Sequence, residues 1–169
     1  NAMNNEGRTF KGCLYFGLML TPNGPKVIEY NCRFGDPETQ VVLPRTKSDI
    51  VEVFEACIDG TLDQVELEFE DNAAVCVVLA SDGYPLSYEK GFPIEGLGEF
   101  QKHEGYYCFH AGTKFDGDKI VTNGGRVLGV TAKGKDLKEA RANAYAATEW
   151  VAFENKYMRH DIGKAIDEA

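Results

Sequence analysis

Residues 11–20, KGCLYFGLML, are apolar on both faces of an extended chain and predict a buried β-strand. TPNGPK follows, a cluster of turn formers. The chain then alternates from Lys26 to Arg33. Ile28, Tyr30 and Cys32 point one way, and Val27, Glu29, Asn31 and Arg33 the other. The two segments predict a β-hairpin whose second strand has one apolar and one polar face.

Asp36-Pro37-Glu38 carries the signals of a helix start: a capping carboxylate, proline at the first turn and an acid beside the positive end of the helix. That helix is expected to reach about Lys47. Ser48 then caps a second, SDIVEVFEACIDG, with Ile50, Val51, Phe54, Cys57 and Ile58 on its buried face and Gly60 as its stop. AAVCVVLA, residues 73–80, predicts a fully buried strand. Residues 106–111, 119–122 and 126–131 predict three more, joined by FDGD and TNGG turns. Residues 136–154 predict one helix, with Leu137, Ala140, Ala144, Ala147 and Val151 at helical spacing. The fold class is α+β: a hairpin and helices, then antiparallel strands closed by a helix, with a seam near residues 62–72.

At 169 residues the chain can bury roughly two-thirds of its unfolded surface, and its composition is globular, 43% hydrophobic and 27% charged. A net charge of −9 argues against nonspecific binding to nucleic acid or to an anionic membrane. No apolar run approaches the length of a membrane span. The five cysteines form no CxxC pair, and four sit in apolar runs. They read as reduced, buried, small hydrophobes, which suits a cytoplasmic protein. Asn1-Ala2-Met3 reads as a cloning scar.

The polar face of the second strand carries candidate chemistry. Glu29 and Asn31 lie about 6.6 Å apart along the strand on one face. A carboxylate and an amide carbonyl are hard oxygen donors suited to Mg²⁺, which takes few protein ligands and completes its shell with water and phosphates. Arg33, two residues on, is a donor for phosphate oxygens. A solvated polar face on an edge hairpin would read the same way.

The whole run decides more than the spacing does. VIEYNCRFGDPETQ, residues 27–40, resembles the signature of the glycinamide ribonucleotide synthetases, ligases of the ATP-grasp superfamily. LPRTKSD, GYP, FHAGT, VTNGGRVLGVTA and RHDIG follow in the family's order. The resemblance implies that residues 4–62 end an ATP-grasp core and that residues 63–169 form a small carboxy-terminal domain. It implies ligation of glycine to 5-phosphoribosylamine with ATP as substrate, through glycyl phosphate, in purine biosynthesis. Glu29 and Asn31 become ligands of Mg²⁺ or Mn²⁺, and Arg33 the stabiliser of the transferring phosphoryl group.

Asp36 and Glu38 have two compatible readings, as helix-start residues or as groups facing the substrate. Arg126, behind Gly124 and Gly125, is the candidate phosphoribosyl-phosphate contact, with a hairpin turn and surface arginine as the bland alternative. His110 is expected in the core, and Trp150 in helix packing. The lysine-bearing nucleotide lid and the amino-terminal half of the family lie outside this sequence, so the chain alone is expected to be inactive. A stand-alone phosphoribosyl- or partner-binding module, or another ATP-grasp ligase of purine synthesis, are the competing readings.

Overall fold

The computed structural model describes residues 2–165. Ala2 and Met3 open a short helix, α1 (Ala2–Asn5), while Asn1 of the expected scar lies outside the described residues. The chain divides into two compact units, Asn1–Thr39 with Thr46–Glu70, and Gln40–Arg45 with Asp71–Ala169.

In the first unit, β1 (Tyr15–Thr21) and β2 (Gly24–Asn31) form the expected antiparallel hairpin. Thr21 pairs with Gly24, leaving Pro22 and Asn23 as a two-residue turn, and the Thr21 hydroxyl donates to the Gly24 carbonyl at 2.7 Å. Gly24 has φ of 89°, a left-handed conformation that glycine adopts without penalty. The expected burial of β1 does not hold: Leu18, Met19 and Leu20 are 49%, 55% and 83% exposed. A two-stranded sheet has two faces, and among its described residues this unit supplies only one helix longer than a turn to cover them.

The expected helix from Pro37 to Lys47 is also corrected. Residues 36–38 make a turn, with the Thr39 N–H and hydroxyl both donating to the Gly35 carbonyl. Only α2 (Thr39–Val42) is α-helical, and a 3-10 turn, Leu43–Arg45, follows. Asp36 therefore stands too early to be the N-cap. Pro44 has no N–H for the next helical bond, so the helix tightens and stops. The next helix, α3 (Ile50–Asp59), is capped by Asp49, which accepts from the Val51 N–H at 2.8 Å. Ser48 is turned aside instead: its hydroxyl accepts from the Glu68 N–H and donates to the Glu66 carbonyl. Gly60 ends α3 at φ 78°, as its position predicts. Of this helix only Ala56 is buried, and Val51, Phe54 and Ile58 stay exposed. Phe54 and Ile58, with Ile50, Val53 and Cys57, line an open groove of about 530 Å³ rather than a closed core.

The second unit holds the main core. β3 (Ala73–Ser81) is buried along its length as expected, and it pairs with β7 (Arg126–Gly134). β4 (Tyr106–His110) lies on the other side of β7, and β8 (Lys156–Tyr157) on the other side of β3. All of these pairs are antiparallel. β5 (Thr113–Asp116) and β6 (Lys119–Thr122) make a separate hairpin around the FDGD turn. β5 and β8 were not legible in the pattern: TKFD carries a single apolar residue, where KIVT of β6 has two adjacent β-branched ones, and β8 is only two residues long. The α+β class is thus the fold of the chain.

Val75, Val77 and Leu79 of β3 and Val127, Leu128 and Val130 of β7 form the core with α4 (Leu137–Thr148), which gives it Ala140, Ala144 and Ala147. Asp136 caps α4 by accepting from the Glu139 N–H at 2.8 Å, and the Glu139 carboxylate returns to the Lys135 N–H at 2.7 Å. The helix stops six residues before the expected end. Ala152 exchanges two hydrogen bonds with Glu95, and Lys156 donates to the Thr148 and Val151 carbonyls, so a non-local ladder takes the backbone there. Val151 is buried as its spacing predicts, but outside the helix. Trp150 packs among Phe100, His103 and Tyr106. RHDIG is strapped to α4, with Arg141 donating to the Ile162 and His160 carbonyls and the Tyr145 hydroxyl donating to the Arg159 carbonyl.

None of the five cysteines is disulfide-bonded, but only Cys76 is fully buried and Cys32 is exposed, against the expectation of uniformly buried thiols. Burial, with Cys76 beside it, pushes the Cys108 thiol up to about 12. The native state therefore holds this proton more tightly than the unfolded chain does. The stability involved is present below the ordinary value of 9.0 and is lost as pH rises toward 12. At pH 8, an aromatic disulfide reagent should modify Cys32 in the native protein, while Cys76 and Cys108 react only on unfolding. Equal rates for these three in the folded protein would contradict the burial order.

Candidate functional site

The polar face of the first hairpin is set by its register. Tyr15 pairs with Asn31 and Gly17 with Glu29, while Phe16 and Tyr30 pair on the opposite face with their rings 5.0 Å apart and edge to face. Glu29 and Asn31 are brought together, the Asn31 amide donating to Glu29 Oε1 at 3.1 Å. The next pairing joins Leu18 to Val27, so Ile28 is an extra residue, a β-bulge immediately before Glu29. The alternation expected from Val27 through Asn31 is broken there, and Glu29 takes its direction from the short segment after the bulge.

Glu38 folds back over Gly35: its carboxylate fills the space where a side chain at Gly35 would go. Burial, then the Glu38 charge, raises the Tyr15 phenol above its ordinary value, which places this second carboxylate within electrostatic reach of the Tyr15–Asn31 pair. Asp36 is exposed. Arg33 lies two residues past the end of β2, and its guanidinium donates to the Phe34 carbonyl at 2.9 Å. The strand ladder therefore does not fix it on the face of Glu29 and Asn31.

Among the described residues, no group of three or more His, Cys, Asp or Glu side chains is placed to hold a metal ion. The donors on this face are one carboxylate and one amide, and turning the amide over presents its oxygen beside Glu29. Such a pair suits a hard cation that takes most of its ligands from water and phosphate. It does not suit zinc, which wants three or four nitrogen or sulfur ligands.

In the second unit, three sequence motifs meet at one end of the four-stranded sheet. The Ser81 N–H and hydroxyl donate to the Gly125 and Gly124 carbonyls. The Gly112 N–H donates to the Arg126 carbonyl at 2.8 Å, and the Asn123 N–H to the Gly112 carbonyl at 2.7 Å. The Tyr84 ring occupies the space beside Gly125. SDGYP, FHAGT and TNGGR are thus stitched together by backbone. Leu79 pairs with Leu128 and Ala80 with Arg126, so Val127 is another extra residue. Val127 and Leu128 both enter the core, whereas Arg126 is exposed. Regular alternation would give Arg126 and the buried Leu128 the same face, and the bulge turns Arg126 out. His110 is a correction. It is exposed at the end of β4, with Nδ1 3.0 Å from the Thr113 hydroxyl.

Gly17 and the bulges at Ile28 and Val127 are the parts of these surfaces that alternation does not reveal. The glycine was the available signal, since a glycine inside a strand often marks close approach by a neighbour.

Residues 74–165 match the family model "Phosphoribosylglycinamide synthetase, C domain", and residues 1–39 match "Phosphoribosylglycinamide synthetase, ATP-grasp (A) domain". A phosphoribosylamine–glycine ligase of Caldanaerobacter subterraneus is 53% identical over 95% of this chain and 38% of its own length. The trifunctional purine biosynthetic protein adenosine-3 of Gallus gallus is 50% identical over 96% of this chain and 16% of its own. A crystal structure of phosphoribosylamine–glycine ligase from Thermotoga maritima superposes with a TM-score of 0.79 at 39% identity, covering 95% of this chain and 39% of that one. The chain thus spans about 38% of the length of the bacterial ligases it matches.

Proposed function

The chain belongs to the phosphoribosylglycinamide synthetase family, and from that premise we propose that it forms the carboxy-terminal part of an ATP-dependent ligase of purine biosynthesis. The reaction is ATP + glycine + 5-phosphoribosylamine → glycinamide ribonucleotide + ADP + phosphate. The observation that carries this reading is the pairing of Glu29 with Asn31 on the bulged strand.

The glycine carboxylate attacks the γ-phosphorus of ATP, ADP leaves, and glycyl phosphate forms. The amine of phosphoribosylamine then attacks the acyl carbon, losing a proton as phosphate departs. Glu29 and Asn31 would hold Mg²⁺ or Mn²⁺, which when bound supplies positive charge against the oxygens of the transferring phosphoryl group. Arg33 is assigned to the same phosphoryl oxygens, where a guanidinium makes two charge-assisted hydrogen bonds. It reaches them by giving up its bond to the Phe34 carbonyl. Glu38, with Asp36 near it in sequence, is assigned to the substrate amine or ribose hydroxyls. Arg126 is assigned to the phosphate of the phosphoribosyl group, beside the backbone of Gly124 and Gly125. The domain roles are the end of the ATP-grasp core for residues 4–62 and the terminal domain for residues 63–169.

By itself the chain is proposed to be inactive, since the groups that clasp ATP belong to the rest of the enzyme and productive geometry needs both. The test is an assay of glycine-dependent ADP release with phosphoribosylamine present. The chain alone should give none. Joined to the amino-terminal part of one of its relatives, it should restore turnover, and Arg126→Gln in that protein should raise KM for phosphoribosylamine about tenfold or more. Product formed by the isolated chain would overturn the proposed inactivity, and a joined protein that folds without turning over would overturn the ligase assignment.

A further inference from the structure

We infer that Gly17 is a positioning residue for Glu29. Its missing side chain leaves the space that the Glu29 stem occupies, and so sets where the carboxylate lies. The inference rests on the reading of Glu29 and Asn31 as cation ligands.

Gly17 stands directly opposite Glu29 in the hairpin. A Cβ placed on Gly17 would lie 3.1 Å from Glu29 Cγ, closer than comfortable contact, but 3.5 and 3.7 Å from the Glu29 carbonyl oxygen and nitrogen. The backbone thus tolerates a side chain at this position, and the flexible Glu29 stem is what must yield. When Cγ gives by the few tenths of an ångström that this contact demands, the carboxylate shifts with it against the Asn31 amide, now 3.1 Å from Oε1. The bulge at Ile28, immediately before Glu29, re-aims the side chain that follows it, so the Glu29 stem is directed over Gly17 by the local backbone. Gly17 does not adopt a positive φ, so backbone freedom does not account for glycine here. Glycine inside a strand is otherwise a cost to stability. Room for Glu29 is the use that the geometry offers in return.

The two explanations separate cleanly. If Gly17 mattered only for folding, Gly17→Ala would lower the melting temperature and leave cation affinity as it is. If it positions Glu29, the same variant folds as well and binds a divalent cation less tightly. Displacing a group that orients a ligand typically costs ten- to a hundredfold in metal affinity.

The experiment uses the 169-residue chain and Mn²⁺ as the probe. Paramagnetic broadening of the amide signals of Glu29 to Asn31 reads binding site by site, with no turnover required. Wild type should show broadening centred on these residues, Glu29→Gln should lose it, and Gly17→Ala should need about tenfold more Mn²⁺ with an undiminished melting temperature. Gly17→Val should need more again. Gly17→Ala titrating like wild type while Glu29→Gln fails would overturn the positioning role and leave the cation reading standing. Broadening that is absent from wild type, or unaffected by Glu29→Gln, would bring down the cation reading and this inference with it.

Discussion

In the complete ligase, Glu29→Gln should lower kcat about a thousandfold at saturating Mg²⁺, while the protein melts within a degree or two of the parent. The two halves of that expectation have different origins. The substitution keeps size and polarity, and Glu29 is exposed, so folding loses almost nothing. What disappears is the one formal charge on the polar face that is directly bonded to Asn31. Opposing the charge that develops on a transferring phosphoryl group is worth several kcal/mol, and a thousandfold is about 4 kcal/mol. A ligand role also predicts the form of the loss: kcat stays low at saturating metal, and the Mn²⁺ or Mg²⁺ concentration that gives half the maximal rate rises. Steady-state kinetics across a metal titration, beside a thermal melt, reads both. Unchanged turnover at saturating Mg²⁺ would remove Glu29 from the site.

Much of this face was legible because local rules act there without competition. Pro22-Asn23 between two apolar runs announces the turn, and residue identity puts a carboxylate and an amide two positions apart. Alternation, however, cannot register a bulge. Ile28 and Val127 read as ordinary strand residues, although the first sits beside Glu29 and the second turns Arg126 away from the core. A pattern also says that an apolar face seeks a partner without saying which one covers it. Leu20 and Val77 are both apolar residues in apolar strands, yet one is 83% exposed and the other fully buried. Helix ends failed where distant groups decide them. Val151 keeps perfect helical spacing from Ala147, but the bonds between Glu95 and Ala152 take the backbone first. Pro44 carried its own warning, since a helix reaching Lys47 would have to pass a residue with no N–H.

Gly112→Ala should be strongly destabilising, costing about 3 kcal/mol or more. A Cβ there would meet Gly124 Cα at 2.5 Å, the Arg126 carbonyl oxygen at 2.6 Å and the Gly124 nitrogen at 2.8 Å. All three are backbone atoms, so no side chain can rotate to make room, and relief requires parting two segments joined by hydrogen bonds in both directions. Those segments are FHAGT and TNGGR, and the second carries Arg126. The loss of stability should therefore come with weaker binding of a sugar phosphate such as ribose 5-phosphate, out of proportion to the fraction unfolded. Gly98→Ala is the control: nothing lies within 4 Å of the position its Cβ would take, and its melting temperature should stay within a degree or two of wild type. For a chain of this length, 3 kcal/mol is a fall of roughly 6–12 °C. If Gly112→Ala melts like Gly98→Ala, the two loops can separate at little cost, and the rigid backbone strip that presents Arg126 is not rigid.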